Sequence, residues 1–368
     1  MVPFLDLKRE HESIKGQINH AIERVIYNQS NFILGKEVEL FEKEFAKYCE
    51  KNYGVGVNSG TDALELTLMA AGIQRGDEVI TTVNTAIPTA MAIANVGGIP
   101  VFTDVGSDFL INPDDLEKRI TKKTKAIIPV HLYGLACDMV KINEIAKKYN
   151  LSVIEDCCQA HGAEYEGKKV PISEIGCFSF YPSKNIGALG DGGIVITNKK
   201  NISDKIRLLR NFGQEDVRGG NTRGRTIILG GNSRLDEIQA AVLGVKLKKL
   251  DVWNNERQKI AKRYTFELEG YVKTPEFGGN RKHAYHLYVI RTNERDRLML
   301  HLKERGIQTL VHYPIPLHMQ EAFSSLGYVW GDFPNAERFS YEIVSLPLFP
   351  GMTESEIDEV IHGIKSFK

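Results

Sequence analysis

Little in this sequence is extreme, and each missing feature closes off a class of protein. No apolar run approaches the length needed to span a bilayer. The N-terminus, Met1-Val2-Pro3-Phe4-Leu5-Asp6-Leu7-Lys8-Arg9, lacks a basic segment followed by an apolar one, so no secretory leader is expected. Charge of either sign is not in excess: Lys+Arg and Asp+Glu both number 47. That balance gives no support for a nucleic-acid or membrane-surface partner. Cysteines are few, odd in number and irregularly spaced, at 49, 137, 157, 158 and 177, with no C-x-x-C pair. A disulfide framework or a structural zinc site is therefore not expected, no metal is assigned, and a reduced, cytoplasmic setting is the expectation. Internal repeats, low-complexity tracts and flexible linkers are also missing.

What is present is an ordinary globular composition, 42% hydrophobic and 26% charged over 368 residues, enough for two domains. From about residue 53 to 200, short apolar runs alternate with helical patterns. Strands are predicted at Tyr53–Val57, Glu78–Thr82, Ile99–Thr103, Ala126–Val130, Ser152–Glu155, Cys177–Phe180 and Gly193–Thr197. Helices are predicted at Thr61–Ala71, Thr89–Val96, Pro113–Ile120 and Val140–Tyr149, with two more ahead of this core near Ser13–Tyr27 and Lys36–Cys49. The alternation predicts an α/β fold: a mainly parallel seven-stranded sheet flanked by helices on both faces. Asp204–Asn211 reads as helix and residues 213–231 as a long loop. One long helix is predicted from Arg234 to about Tyr264. Beyond it, a strand at His286–Thr292, a helix at Glu294–Arg305, a strand at Gln308–Tyr313 and a last helix at Glu354–Phe367 form a smaller α+β unit. The expected division is 1–249 and 250–368.

The chemistry centres on Lys184, in Ser179-Phe180-Tyr181-Pro182-Ser183-Lys184-Asn185-Ile186-Gly187-Ala188-Leu189-Gly190-Asp191-Gly192-Gly193. Its neighbours are apolar or small, unlike those of the solvated Lys122, Lys123, Lys147 and Lys148. A lysine in a dry site loses its proton readily and becomes a nucleophile. Upstream, Ser152-Val153-Ile154-Glu155-Asp156 ends a buried strand, where ligands gather in parallel sheets. Glu155 and Asp156 should point to opposite faces; one of them equally reads as a cap of the next turn. A carboxylate at a strand end with a lysine in a Ser/Gly/Pro-rich loop fits pyridoxal phosphate (PLP): the lysine forms the Schiff base and the acid keeps the pyridine nitrogen protonated. Gln159 is placed to donate to the ring oxygen. Asn58-Ser59-Gly60-Thr61-Asp62 follows a strand and opens a helix, a setting that binds phosphate and that also reads as a plain N-cap by Ser59 or Thr61. Ser179 offers a further hydroxyl. Asn232 or Ser233 reads as a cap of the long helix.

These segments resemble the DegT/DnrJ/EryC1/StrS nucleotide-sugar aminotransferases, PLP enzymes of the aspartate-aminotransferase fold (fold type I). The resemblance runs through Pro3–Leu7, Asn58–Leu64, Glu155–Gly162, Phe178–Gly193, Gly231–Ala241, His283–Val289, His312–His318 and Ser345–Pro350. It implies that Lys184 is the Schiff-base lysine, Asp156 the partner of the pyridine nitrogen, Gln159 the contact to the ring oxygen, and Gly60, Thr61 and Ser179 phosphate ligands. Asn232 resembles a residue that reaches the phosphate of a neighbouring subunit, implying a homodimer with shared active sites. The implied reaction moves an amino group from L-glutamate to a nucleotide-linked keto sugar. The Lys184–Gly193 stretch resembles members acting on 3-keto sugars; those acting on 4-keto sugars more often carry Gly-Glu-Gly-Gly after a different spacer. Related dehydratases have histidine at the lysine position, which favours transamination here, and related regulators carry a DNA-binding segment that this chain lacks. Tyr181, Tyr313, His318 and the 213–231 loop are candidates to border the sugar pocket. One departure stands out. In Val83-Asn84-Thr85-Ala86-Ile87-Pro88-Thr89, Ala86 holds the place of the family's ring-stacking aromatic, a loss of about 1 kcal/mol on aromatic-pair energies.

Overall fold

A computed structural model gives the fold for residues 1–215, 225–276 and 278–367. Seven strand positions line up side by side in the order Tyr53–Val57, Gly193–Thr197, Ile175–Ser179, then the run from Ser152 to Asp156, then Thr124–Ile128, Glu78–Thr82 and Ile99–Thr103. The run from Ser152 to Asp156 is the seam. Ser152–Val153 pairs with Thr124–Ile128 on one side, and Glu155–Asp156 pairs with Ile175–Ser179 on the other. Ile154 donates its N–H to the Ile127 carbonyl at 3.0 Å, and Asp156 donates to Pro129 at 2.9 Å, so the two halves form one sheet. Only Gly193–Thr197 runs against its neighbours; the other pairings are parallel.

Period-two alternation decides which residue faces which layer. Phe178, Ile194 and Ile196 pack beneath the helix Lys36–Tyr48 with Phe41 and Phe45. Cys177 and Val195 point the other way, to Leu64 and Leu68 of the helix Gly60–Ala71. That helix starts where Ser59 Oγ accepts the Asp62 N–H and stops at Gly72, whose φ of +85° a side chain would resist.

The C-terminal region has its own core. Tyr288–Arg291 and Ile343–Leu346 form an antiparallel pair, packed with Ile260, Tyr264, Leu298, Leu302 and Ile361. Val2, from the other end of the chain, belongs to this cluster. Two expectations fail here. The long helix is two helices, Glu237–Leu247 and Leu250–Glu267. Lys246 is drawn inward to Glu10, 3.1 Å away, and Lys249 bonds back three residues to its carbonyl, which tightens and ends the first helix. The strand at Gln308–Tyr313 is not formed. Leu310 exchanges bonds with Ser345 at 2.8 and 3.3 Å, and the chain then turns away; Pro314 and Pro316 have no N–H for a ladder. Part of the expected 213–231 loop, residues 216–224, lies outside the described residues.

A buried ionic clamp holds the strand that leads into the Asn58–Thr61 turn. Glu42 accepts the Gly56 N–H at 2.8 Å, Arg210 at 2.6 Å and Arg207 at 2.7 Å, while Arg210 also donates to the Gly56 carbonyl. Removing one member of a buried pair strands the other. Glu42→Ala is expected to lose about 3–5 kcal/mol of stability, measured as the shift of the urea unfolding midpoint.

Candidate active site

The carboxyl ends of the central strands surround a cavity of about 230 Å³. Ser59, Gly60 and Thr61 line one end, from the first turn of the helix Gly60–Ala71. Asp156, Cys158 and Gln159 come from the end of the seam strand, Ser179 from its neighbour, and Tyr181 and Lys184 from the loop beyond. Thr85, Ala86 and Thr89 close another wall.

Asp156 is buried and fixed at both oxygens: Thr89 Oγ1 donates to Oδ2 at 2.8 Å and the Cys158 N–H to Oδ1 at 3.1 Å. Gln159 is equally fixed. Its Oε1 accepts the Tyr133 N–H at 2.8 Å, and its Nε2 donates to the Tyr313 hydroxyl at 3.0 Å. Burial pushes the Tyr313 hydroxyl up to about 12, so it keeps its proton at neutral pH and can donate it. Burial also holds the Lys184 ammonium below its usual range, against the opposing influence of Cys158 and Asp156. Below Lys184, His161 is enclosed by Phe45, Phe178 and Phe180, and burial, followed by the charge of Lys184, lowers it to about 3. It is a neutral spacer.

Glycine is required where the walls meet. A Cβ on Gly60 would lie 2.6 Å from Ser179 Cβ and 2.9 Å from Cys158 Sγ, and one on Gly193 would lie 2.2 Å from the Ser59 carbonyl. The turn thus sits tight against the end of the neighbouring strand, leaving the helix N-terminus open to a phosphate. The donor set fits PLP: a fixed buried carboxylate, a lysine held below its ordinary pKa, and hydroxyls at a helix N-terminus, all around one space.

Of the residues singled out from the sequence, the structure places Lys184, Asp156, Gln159, Gly60, Thr61, Ser179 and Tyr181 in the lining of this cavity. Tyr313 is not among the lining residues; it touches the site only through Gln159, whose Nε2 donates to its hydroxyl. His318 does not arrive: it is 3% exposed, bonded to Glu337 at 3.0 Å and packed on Phe333. Asn232 is exposed, beside Asn211, and does not line the cavity. Ala86 does line it, and Tyr181 is the one aromatic among the lining residues. Thr89 was missed: it stands in the first turn of the helix Pro88–Asn95, its Oγ1 3.4 Å from that of Thr85 in the turn before, a pairing made by the way the chain enters the helix and not by helical spacing.

A site of this build, at the strand ends of a largely parallel sheet, defines a PLP-type transferase. Residues 12–365 match the DegT/DnrJ/EryC1/StrS aminotransferase family, and the chain belongs to it. It is similar to a pleiotropic regulatory protein of Geobacillus stearothermophilus, 45% identical over all of this chain and 98% of that protein. It is also similar to the dTDP-3-amino-3,6-dideoxy-alpha-D-galactopyranose transaminase of Aneurinibacillus thermoaerophilus, 43% identical over all of this chain and 99% of that one. Among solved structures, S. venezuelae DesV in complex with a ketimine intermediate superposes with a TM-score of 0.94 at 41% identity, covering 99% of this chain and 97% of that one. Related structures carry pyridoxal or pyridoxamine phosphate, and PLP is the cofactor of this fold.

The depressed Lys184 makes a pH-dependent stability prediction. Between its folded pKa and the ordinary value near 10.5, the unfolded chain binds the extra proton, so stability rises with pH. Lys184→Met should stabilise the cofactor-free protein at neutral pH. The gain should be full below the depressed pKa and vanish as pH climbs through 10.5, as read from melting temperatures across pH.

Proposed function

We propose that this protein is an aminotransferase that moves the amino group of L-glutamate to the 3-keto group of a nucleotide-linked 6-deoxyhexose, acting in the cytoplasm as a homodimer. The observation that carries the reading is the shared cavity of Lys184 and Asp156, with the Gly60–Thr61 turn at its far end. The 3-keto preference is supported by the names of the relatives and by the Lys184–Gly193 stretch.

Bound in the cavity, PLP supplies an electron sink that makes the C–H beside the donor nitrogen acidic. Asp156 is the acceptor for a protonated ring nitrogen, and the Thr89 and Cys158 bonds hold both its oxygens in place. Gln159 lines the same wall, its amide held by the Tyr313 hydroxyl. Gly60, Thr61 and Ser179 are the phosphate end. With the group bound, Lys184 would take and return the proton through its Nζ, a task suited by an amine already below the normal lysine range. Tyr181 stands at the mouth, 56% exposed, where a sugar would pass. Asn232, also exposed, is free to serve the phosphate of a second copy. The helix break at Lys248–Lys249 supports a boundary between a cofactor-binding unit, 1–249, and a smaller one, 250–368.

The lysine speaks against a dehydratase. The regulatory name of the Geobacillus relative defines a competing outcome, cofactor binding without amino transfer. Lys184→Ala is expected to lose at least the ~10²–10⁴-fold that a positioned acid–base group contributes, and wild-type initial rates should give the parallel lines of a ping-pong cycle. Full activity in Lys184→Ala would overturn the reading.

A further inference from the structure

Across Tyr181 lies a second cavity, of about 290 Å³, which the cofactor reading does not use. Phe4, Leu5, Leu310, Leu346 and Leu348 give it apolar walls. Its polar groups are Tyr181, Ser183, His286, His312 and Arg257, and among the described residues no carboxylate lines it. Arg257 is 2% exposed. Its Nη1 donates to the backbone carbonyls of Leu348 at 2.8 Å and Tyr285 at 3.3 Å, while its buried Nε has no partner. Among the described residues no acid lies within ion-pair distance of Arg257; Glu10 and Glu256, which it feels at longer range, are engaged elsewhere, Glu10 with Lys246 and Glu256 with the Gly351 N–H. A buried guanidinium with carbonyls on one side and no counter-charge in contact is expensive unless an anion completes it.

The imidazoles add no competing charge. His312 is lowered to about 4 by burial and then by Lys184. His286 falls well below its usual range through burial, then through Lys184, Arg257 and His312. Both rings therefore stay neutral and can hydrogen-bond a ligand without repelling Arg257. Tyr181 lines both cavities, which sets this space beside the one that holds the reacting amine.

We propose that this second cavity holds a carboxylate of the amino donor, and of the 2-oxo acid it leaves behind, with Arg257 as the counter-charge and specificity-determining residue. The proposal rests on the aminotransferase reading above. The volume suits a five-carbon dicarboxylate and not a nucleoside diphosphate joined to a sugar. An anion at Arg257 would leave the other end of the donor pointing past Tyr181 to Lys184. It also accounts for an acid-free wall in a chain whose overall charge is balanced.

The test uses the PLP-loaded enzyme. L-glutamate is titrated while the cofactor absorbance is followed, in wild type, Arg257→Gln and Arg257→Lys. A nucleotide-linked 3-keto sugar is then titrated in steady state. The expected result is a rise of about 10- to 100-fold in the glutamate needed by Arg257→Gln, the range for a lost hydrogen bond to a charged group, with the sugar KM unchanged. Glutarate should compete with glutamate in wild type, and its neutral diamide should not. If Arg257→Gln does not fold, Arg257→Lys carries the test: it keeps the charge and loses the fork, so the glutamate requirement must rise and glutarate inhibition weaken together. An unchanged glutamate requirement in a folded variant overturns the proposal. So does a raised sugar KM with normal glutamate behaviour, which would give Arg257 to the nucleotide's phosphates. A wild-type enzyme that binds PLP but whose spectrum ignores glutamate overturns the aminotransferase reading, and this seat falls with it.

Discussion

The site depends on the way one strand ends. At residues 155 and 156 two carboxylates stand side by side in sequence and face opposite layers of the sheet. Glu155 goes down into the core, where His131 Nε2 lies 2.7 Å from it and the N–H groups of Ile172 and Ser173 also donate to it. His131 Nδ1 accepts the Cys137 N–H, so the proton must sit on Nε2 and be given to Glu155. Burial would raise the Glu155 carboxyl, but these hydrogen bonds outweigh it and hold the group below its ordinary range. That anchored side chain fixes the backbone from which Asp156 projects upward into the cavity. His131 closes the arrangement, its own N–H bonded to the Asp156 carbonyl at 3.0 Å.

Two kinds of residue then act on the cavity from different directions. Thr89 and the Cys158 N–H remove the freedom of Asp156; burial lowers the proton affinity of Lys184. A fixed acid and a weakened base in one space are what a proton-shuttling reaction requires. The second cavity, with its acid-free walls and buried Arg257, extends the same logic to the donor. The site is thus a sequence of charges, each present because another group or ligand answers it.

Much of this was legible in the amino-acid order. The strand positions could be read because buried parallel strands are short apolar runs bounded by turn residues, and the 155/156 split followed from strand periodicity alone. Lys184 was visible by contrast with the surface lysines. The failures have physical causes too. The stripe Leu235, Ile238, Ala241, Val242, Val245, Leu250 continues across the break at Lys248–Lys249, because the break is made by a tertiary contact, Lys246 with Glu10, more than 230 positions away in sequence. His312 and His318 belong to one short motif, and local pattern does not say which faces the site. His318 is claimed by Glu337 and Phe333 in the core, whereas His312 lines the cavity beside Arg257. Arg257 gave no signal, since its environment is assembled from Leu348, Tyr285 and the N-terminal segment. Among the described residues, no helix is long and apolar enough to cross a membrane, in line with the composition.

The reaction assigned to the Lys184 cavity is amino transfer into a sugar. The most direct test is to incubate the PLP-loaded protein with ¹⁵N-labelled L-glutamate and a nucleotide-linked 3-keto-6-deoxyhexose, then locate the label by mass spectrometry and NMR. The account predicts ¹⁵N bonded to C3 of the nucleotide-linked sugar, with 2-oxoglutarate formed in equal amount. A sugar recovered without nitrogen, whether unchanged or dehydrated, would contradict it.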